Sequence, residues 1–301
     1  MSQGRLTRRT MIRLTLTGAS LPLSGHAFAQ DEGPVIAVAN YPLAYFAERL
    51  VGDLAEVLFP VPPGTDPSFW RPSIADISAM QAAQVIALNG AGFSDWTTKV
   101  SLPRARIIDT SAGFADAYIA TETITHSHGE AGTHSHTGTA SYTWLDFGLA
   151  ARQADALAAR LIRAMPQSEA TISTNLLALN ADLAALDAAA KALRAPLAAT
   201  ASHPRYQYFG RAYGLEISAM EWDAQEEVSE DQWQALEQKI SESGATLFIW
   251  EATPSDDARA RIATLGLTDV VFPPLAQAPA SGDFISEMTK SITMIAQSLD
   301  A

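Results

Sequence analysis

Short apolar, β-branched runs recur along the chain, separated by stretches whose apolar positions fall at helical spacing. In the first half the runs are "VIAVAN" from Val35, "AEVLFPV" from Ala55, "VIALNG" from Val85 and "RIIDTS" from Arg106. In the second half they are "LAATAS" from Leu197, "LEISAM" from Leu215, "TLFIWE" from Thr246 and "DVVFPP" from Asp269. Strands alternating with roughly 10 to 15 residues of helix-compatible sequence predict a parallel α/β arrangement. Four runs on each side predict two lobes, each a mainly parallel sheet flanked by helices.

Between the halves, Leu145 to Leu193 is rich in Ala and Leu and is broken near Pro166. Its second part, Ser168 to Arg194, would be about 40 Å long at 1.5 Å per residue. Complete strand and helix repeats lie on both sides, which favours one long connecting helix over a pair of covering helices within a single domain. The expected divisions are residues 30–144, an N-terminal lobe; 145–194, the connecting segment; and 195–301, a C-terminal lobe. One stretch breaks the pattern. "TETITHSHGEAGTHSHTGTAS", Thr121 to Ser141, has almost no apolar periodicity and reads as a mobile polar loop.

At 301 residues and 48% hydrophobic against 18% charged, the chain buries enough apolar surface to exclude general disorder. Residues 1–29 read as an export signal: a basic start, the short apolar run "LTLTGASLPL", and an A-x-A site ending at Ala29. Arg8 and Arg9, followed by Met11 and Ile12, give it a twin-arginine character, the signal of proteins exported already folded. The apolar run is too short to span a bilayer, so a soluble periplasmic protein is expected after cleavage near Ala29. Losing that segment removes four arginines and no acids, which takes the net charge from −13 to −17. So acidic a chain opposes nucleic-acid binding. With no cysteine, disulfides and thiolate metal sites are excluded, and any metal must be held by nitrogen and oxygen.

Four of the six histidines, His126, His128, His134 and His136, fall within eleven positions of the His-rich segment 124–138. Paired imidazoles on a polar segment suit Zn²⁺, Cu²⁺ or Ni²⁺; the plain alternative is a solubilising loop. His203 follows a predicted strand and precedes Pro204, which is expected to open a helix at its first turn. Glu251 ends "TLFIWE" in the same way. Ligands of open α/β sheets bind beyond the carboxyl ends of strands, so these two side chains are expected to converge on one crevice. No H-E-x-x-H, nucleophile–base pair or phosphate-cradling glycine loop is present, so no enzyme is expected.

The segments "YPLAYFAERLVGD", "PPGTDPSFWRPSIADI", "NGAGFSDW", "YTWLDF", "SHPRYQYFGRAYGLE" and "LFIWEATPSDD" together resemble the zinc- and manganese-type metal solute-binding proteins of bacterial ABC importers. The resemblance covers essentially the whole chain after residue 29. It implies a monomeric receptor holding a divalent metal, Zn²⁺ first, Mn²⁺ or another ion as alternatives, between two lobes and delivering it to an inner-membrane ABC permease. The histidine segment is a hallmark of the zinc members. The family's metal is clamped by three histidines and one carboxylate. Carried onto this chain, His203 and Glu251 keep their ligand types, whereas the other two positions are Ser68 and Tyr142. Either ligands are borrowed, from His136 or Asp66, or the lobes are adapted to a non-metal or metal-chelate ligand. Phe69, Trp70, Tyr142, Trp144 and Trp250 are the aromatic candidates for enclosing the latter. A periplasmic zinc chaperone or buffer is a further alternative.

Overall fold

The computed structural model describes residues 33–127, 133–193, 197–222 and 227–299, and over 122–127 and 133–137 the backbone alone. The export segment expected at residues 1–29 lies outside the described residues. The first half builds β1 (Val35–Val38), α1 (Tyr41–Val51), β2 (Glu56–Leu58), α2 (Ile74–Ala82), β3 (Val85–Leu88) and β4 (Ile107–Asp109). These strands form a parallel sheet in the order β2-β1-β3-β4. After β5 (Ala120–Ser127) and β6 (Thr133–Thr139) come α3 (Phe147–Ala164) and α4 (Glu169–Lys191). The second half contributes β7 (Leu197–Ala201), α5 (Gln207–Tyr213), β8 (Leu215–Ala219), α6 (Glu230–Ser243), β9 (Leu247–Trp250), α7 (Asp256–Thr264), β10 (Thr268–Val271) and α8 (Phe284–Leu299). Its strands are also all parallel, in the order β10-β9-β7-β8.

All eight apolar runs are therefore strands, and the two sheets share one topology. Read in chain order, each is second, first, third, fourth. The strand order reverses between β1 and β3 in one lobe and between β7 and β9 in the other, and such reversals open a crevice beyond the carboxyl ends of the strands. At both ends of the first sheet's crevice stands an asparagine. Asn40 accepts the backbone N–H of Leu43 and so caps α1, whose Pro42 needs no donor there. Asn89 follows β3. Gly90, next in line, turns the chain at φ +77°; a side-chain carbon on it would lie 2.0 Å from Asp109 Oδ1, so no other residue fits.

The connecting segment is two helices broken at Pro166, as the sequence indicates, with Asp146 capping α3 through the N–H of Leu149. α4 has 23 residues, about 34 Å, and packs on α1, α3 and α8. Ile172, Leu179, Leu183 and Leu186 are the buried stripe it lends to a core continuous with both sheets. The last helix, α8, packs on the first, α1. Phe284 of α8 meets Phe46 edge-on at 5.4 Å and Tyr45 at 5.8 Å, and Tyr45 donates from its hydroxyl to Asp283 at 3.4 Å. Burying a ring of that size contributes about 1.5–3 kcal/mol. Among the described residues no helix is long and apolar enough to cross a membrane.

The His-rich segment differs from expectation. β5 and β6 form an antiparallel hairpin pairing Ala120 with Thr139, Thr125 with Ser135 and His126 with His134. The apolar alternation that marks a half-buried strand is absent. Recurring threonines, Thr121, Thr123 and Thr125 in β5 and Thr133, Thr137 and Thr139 in β6, supply β propensity without an apolar face.

Candidate functional site

β7 and β9 are neighbours in their sheet, and the residues just past their ends are stitched together. Ser202 donates its backbone N–H to Ile249 O and accepts the N–H of Glu251 on its hydroxyl at 3.1 Å. This brings His203 and Glu251 side by side, Nδ1 to Oε1 3.9 Å. His203 Nδ1 also lies 3.0 Å from the carbonyl oxygen of Trp222. A carbonyl only accepts, so Nδ1 carries the proton, and whenever the ring is neutral its lone pair stands on Nε2. A backbone carbonyl fixing the tautomer in this way is the usual second contact of a metal-binding histidine.

Pro204 does not open a helix. The N–H of Arg205 returns to His203 O at 2.9 Å in a tight turn, and α5 starts only at Gln207. That turn points Arg205 across to the other lobe. There the loop after β2 presents Asp66, whose Oδ1 accepts both the backbone N–H and the hydroxyl of Ser68, at 2.8 and 2.6 Å. Its other oxygen, Oδ2, accepts from Arg205 Nη2 at 2.9 Å. On its far side Arg205 Nε lies 3.5 Å from Glu251 Oε2, an ion contact longer than a hydrogen bond. The guanidinium also stacks over the ring of Tyr142 at 4.7 Å and stands 5.8 Å from that of Phe69. Arg205 is thus wedged between a carboxylate from each lobe, with only 11% of its side chain exposed.

Burial works against the charge of Arg205, but the oxygens of Tyr142, Asp66 and Glu251 outweigh it and hold its pKa above that of an ordinary arginine. Burial pushes the Tyr142 hydroxyl far up, with Arg205 opposing only in part, so the phenol stays neutral. Tyr142 is positioned from behind by a buried polar network. Asn89 donates to the carbonyl of Ser141 at 2.9 Å, and its Oδ1 accepts from Asn40 and Gln153. A cavity of about 700 Å³ opens beside the cluster, lined by Thr65, Asp66, Tyr142, Glu251, Pro274 and Gln277.

Other expected site residues lie elsewhere. Trp70 packs edge-on to Trp96 at 5.4 Å inside the first lobe. Trp144 is fully buried, donates to Pro274 O and touches Phe93 and Tyr142; both are packing residues rather than cleft walls. Trp250 lines an adjoining cavity of about 520 Å³ in the second lobe, with Trp222 and Trp233, and Glu251 borders both cavities. His128 lies outside the described residues, and of His126, His134 and His136 the backbone alone is described. Among the described residues no cluster of three or more His, Asp or Glu is placed to hold a metal. Arg205 escaped the sequence reading, although an arginine two residues from His203 was a visible sign that a cation already stood at that strand end.

Residues 36–298 match the family described as ZnuA, zinc-uptake complex component A periplasmic. The chain belongs to this family. A crystal structure of ZnuA is 26% identical, with a TM-score of 0.69, covering 88% of this chain and 99% of that one. The Zn(II)-bound ZnuA-like domain of Streptococcus pneumoniae AdcA is 20% identical with a TM-score of 0.73, covering 89% and 100%. The solute-binding protein FpvC of Pseudomonas aeruginosa in complex with Ni²⁺ is 20% identical with a TM-score of 0.71, covering 89% and 97%. Among curated proteins none matches this chain. As a member of the ZnuA family the chain is a metal-type solute-binding protein, and its fold is that of the ZnuA-like structures.

Proposed function

We propose that this chain is the periplasmic receptor of an ABC importer, capturing a divalent metal, zinc first, for an inner-membrane permease. The observation that carries the cargo is the register of the hairpin. His126 stands opposite His134, and His136 opposite Ile124. Directly opposed residues and those two along a strand share one ribbon face, with opposed Cα atoms about 4.5–5.5 Å apart. Three histidines on one ribbon face are a nitrogen donor set of the type that Zn²⁺ takes. In the cleft, His203 and Glu251 keep ligand-type side chains, and the nearest third donor, Asp66, is tied to Arg205, which leaves two where a zinc site needs three from protein.

Elemental analysis and calorimetry on the chain from residue 30, before and after chelation, test this. Deleting residues 126–136 is expected to remove most of the bound zinc and leave the fold intact; full retention of zinc would sink the hairpin as the capture element. Imidazole must be neutral to bind and titrates near pH 6.5. Affinity should therefore fall steeply from about pH 7.5 to 5.5.

The cavity beside Arg205 supports a second reading, a receptor of the same fold adapted to a non-metal or metal-chelate ligand. A soluble zinc chaperone or buffer shares the hairpin chemistry. Zinc transfer to an apo-protein in the absence of any permease would favour that role, and a permease and ATPase encoded beside the receptor would favour import.

A further inference from the structure

We infer that Arg205 is the residue that decides what the cleft accepts: its guanidinium is a resident cation standing where a metal ion would be held, and it keeps bare divalent ions out. Two carboxylates approach it from opposite lobes, Asp66 Oδ2 at 2.9 Å and Glu251 Oε2 at 3.5 Å. The His203 ring lies against the other oxygen of Glu251. Carboxylate, carboxylate and imidazole are donor types that zinc takes, but with Arg205 between them they are not gathered closely enough to hold an ion. With Arg205 in place, Asp66 is committed to a hydrogen bond and Glu251 to an ion contact with the guanidinium. An incoming ion would also sit almost in contact with a positive charge in a site with little water to screen it.

The two positions that look like lost ligands fit the arginine instead. Ser68 holds Oδ1 of Asp66 through its N–H and its hydroxyl, which leaves Oδ2 for the guanidinium. Tyr142 offers a ring face at 4.7 Å, a cation–π contact that a metal would not use. A neutral, buried phenol and a serine hydroxyl are poor zinc ligands. Ser68, Tyr142 and Arg205 therefore form one set: the cation is supplied by the chain, Tyr142 lies against it, and Ser68 holds the carboxylate that binds it.

The role of Arg205 does not depend on the hairpin, so the test removes it. In a chain lacking residues 126–136, zinc is titrated by calorimetry and by thermal melting into the parent, Arg205→Ala, Arg205→Lys and Arg205→Ala with His203→Ala. The parent is expected to bind no zinc in the cleft and to show no zinc-dependent Tm. Arg205→Ala should gain one site, at least about 100-fold tighter than any residual binding of the parent, with a matching zinc-dependent rise in Tm. His203→Ala should abolish the gain. Arg205→Lys, which keeps the charge, should not show it. A parent that binds one zinc in a His203-dependent manner overturns the inference, and this measurement stands even if Arg205→Ala fails to fold. A folded Arg205→Ala with no gain overturns it, and so does an Arg205→Lys that gains zinc equally. Loss of zinc from the full chain on removing the hairpin is a separate result and bears only on the capture element.

Discussion

The two lobes carry the same strand order and fill its switch point in opposite ways. In the first, Asn40 and Asn89 meet at 3.3 Å, 0% and 1% exposed, inside a neutral network with Thr143 and Gln153. In the second, the corresponding strand ends present His203 and Glu251 against the cationic Arg205, all three partly exposed. Topology alone put a crevice in both. Only residue chemistry made one a pin and the other a candidate site, which is why function is argued from side chains rather than fold. The neutral pin also serves the charged site, because Asn89 holds Ser141 and so presents Tyr142 to Arg205.

Four measurements break or sharpen this contrast. Arg205→Ala leaves Asp66 and Glu251 facing each other without a cation and should cost about 3 kcal/mol by urea denaturation in metal-free buffer. That is the low end for breaking a buried pair, because Asp66 is 34% exposed. Asn89→Ala strips partners from Asn40, Gln153 and the Ser141 carbonyl and should cost about 2 kcal/mol. The two separate on adding zinc to the hairpin-deleted chain, which should restore Tm to the first variant and not to the second.

The seam between the lobes is tested by Asp283. Its Oδ1 accepts the N–H of Ser286 at the start of α8, and replacing such a cap by Ala costs about 1 kcal/mol. Burial pushes its pKa up, but the bonds from Ser286 and Tyr45 outweigh this and hold it below the usual value. The charge therefore stabilises the fold above the unfolded pKa near 3.9 and loses that effect as pH falls through the folded value. Asp283→Asn should thus lie below wild type in Tm at pH 6, and the gap should close below about pH 4. Smallest of all is deletion of residues 126–136. The hairpin forms a separate two-stranded sheet, so the remaining fold should change by less than about 0.5 kcal/mol.

The strands were legible because each is a dense apolar run bounded by Gly, Pro or polar residues. The meeting of His203 and Glu251 followed from one rule about strand ends. Arg205 was not legible as a cleft residue, since its role depends on Asp66, 139 positions away on a loop with no periodicity. Viewed singly, Ser68 and Tyr142 look like two losses. Only the contact geometry shows them to be supports for a third residue. The hairpin was hidden for a different reason: its strands are marked by threonine propensity, a weaker signal than burial.

The packing of α8 on α1 has a consequence for how this molecule comes to exist. Tyr45 and Asp283 are 238 positions apart, so the face of α1 that receives Phe284 waits for nearly the whole chain. Loops that long are costly to close before their contacts form, and proteins dominated by such contacts fold slowly. Until α8 docks, the Tyr45 and Phe46 rings face solvent, and the nascent chain presents an apolar patch to any chaperone that meets it. A truncation within α8 should therefore show first as slow refolding and capture by a holdase, before any change in what the finished cleft binds.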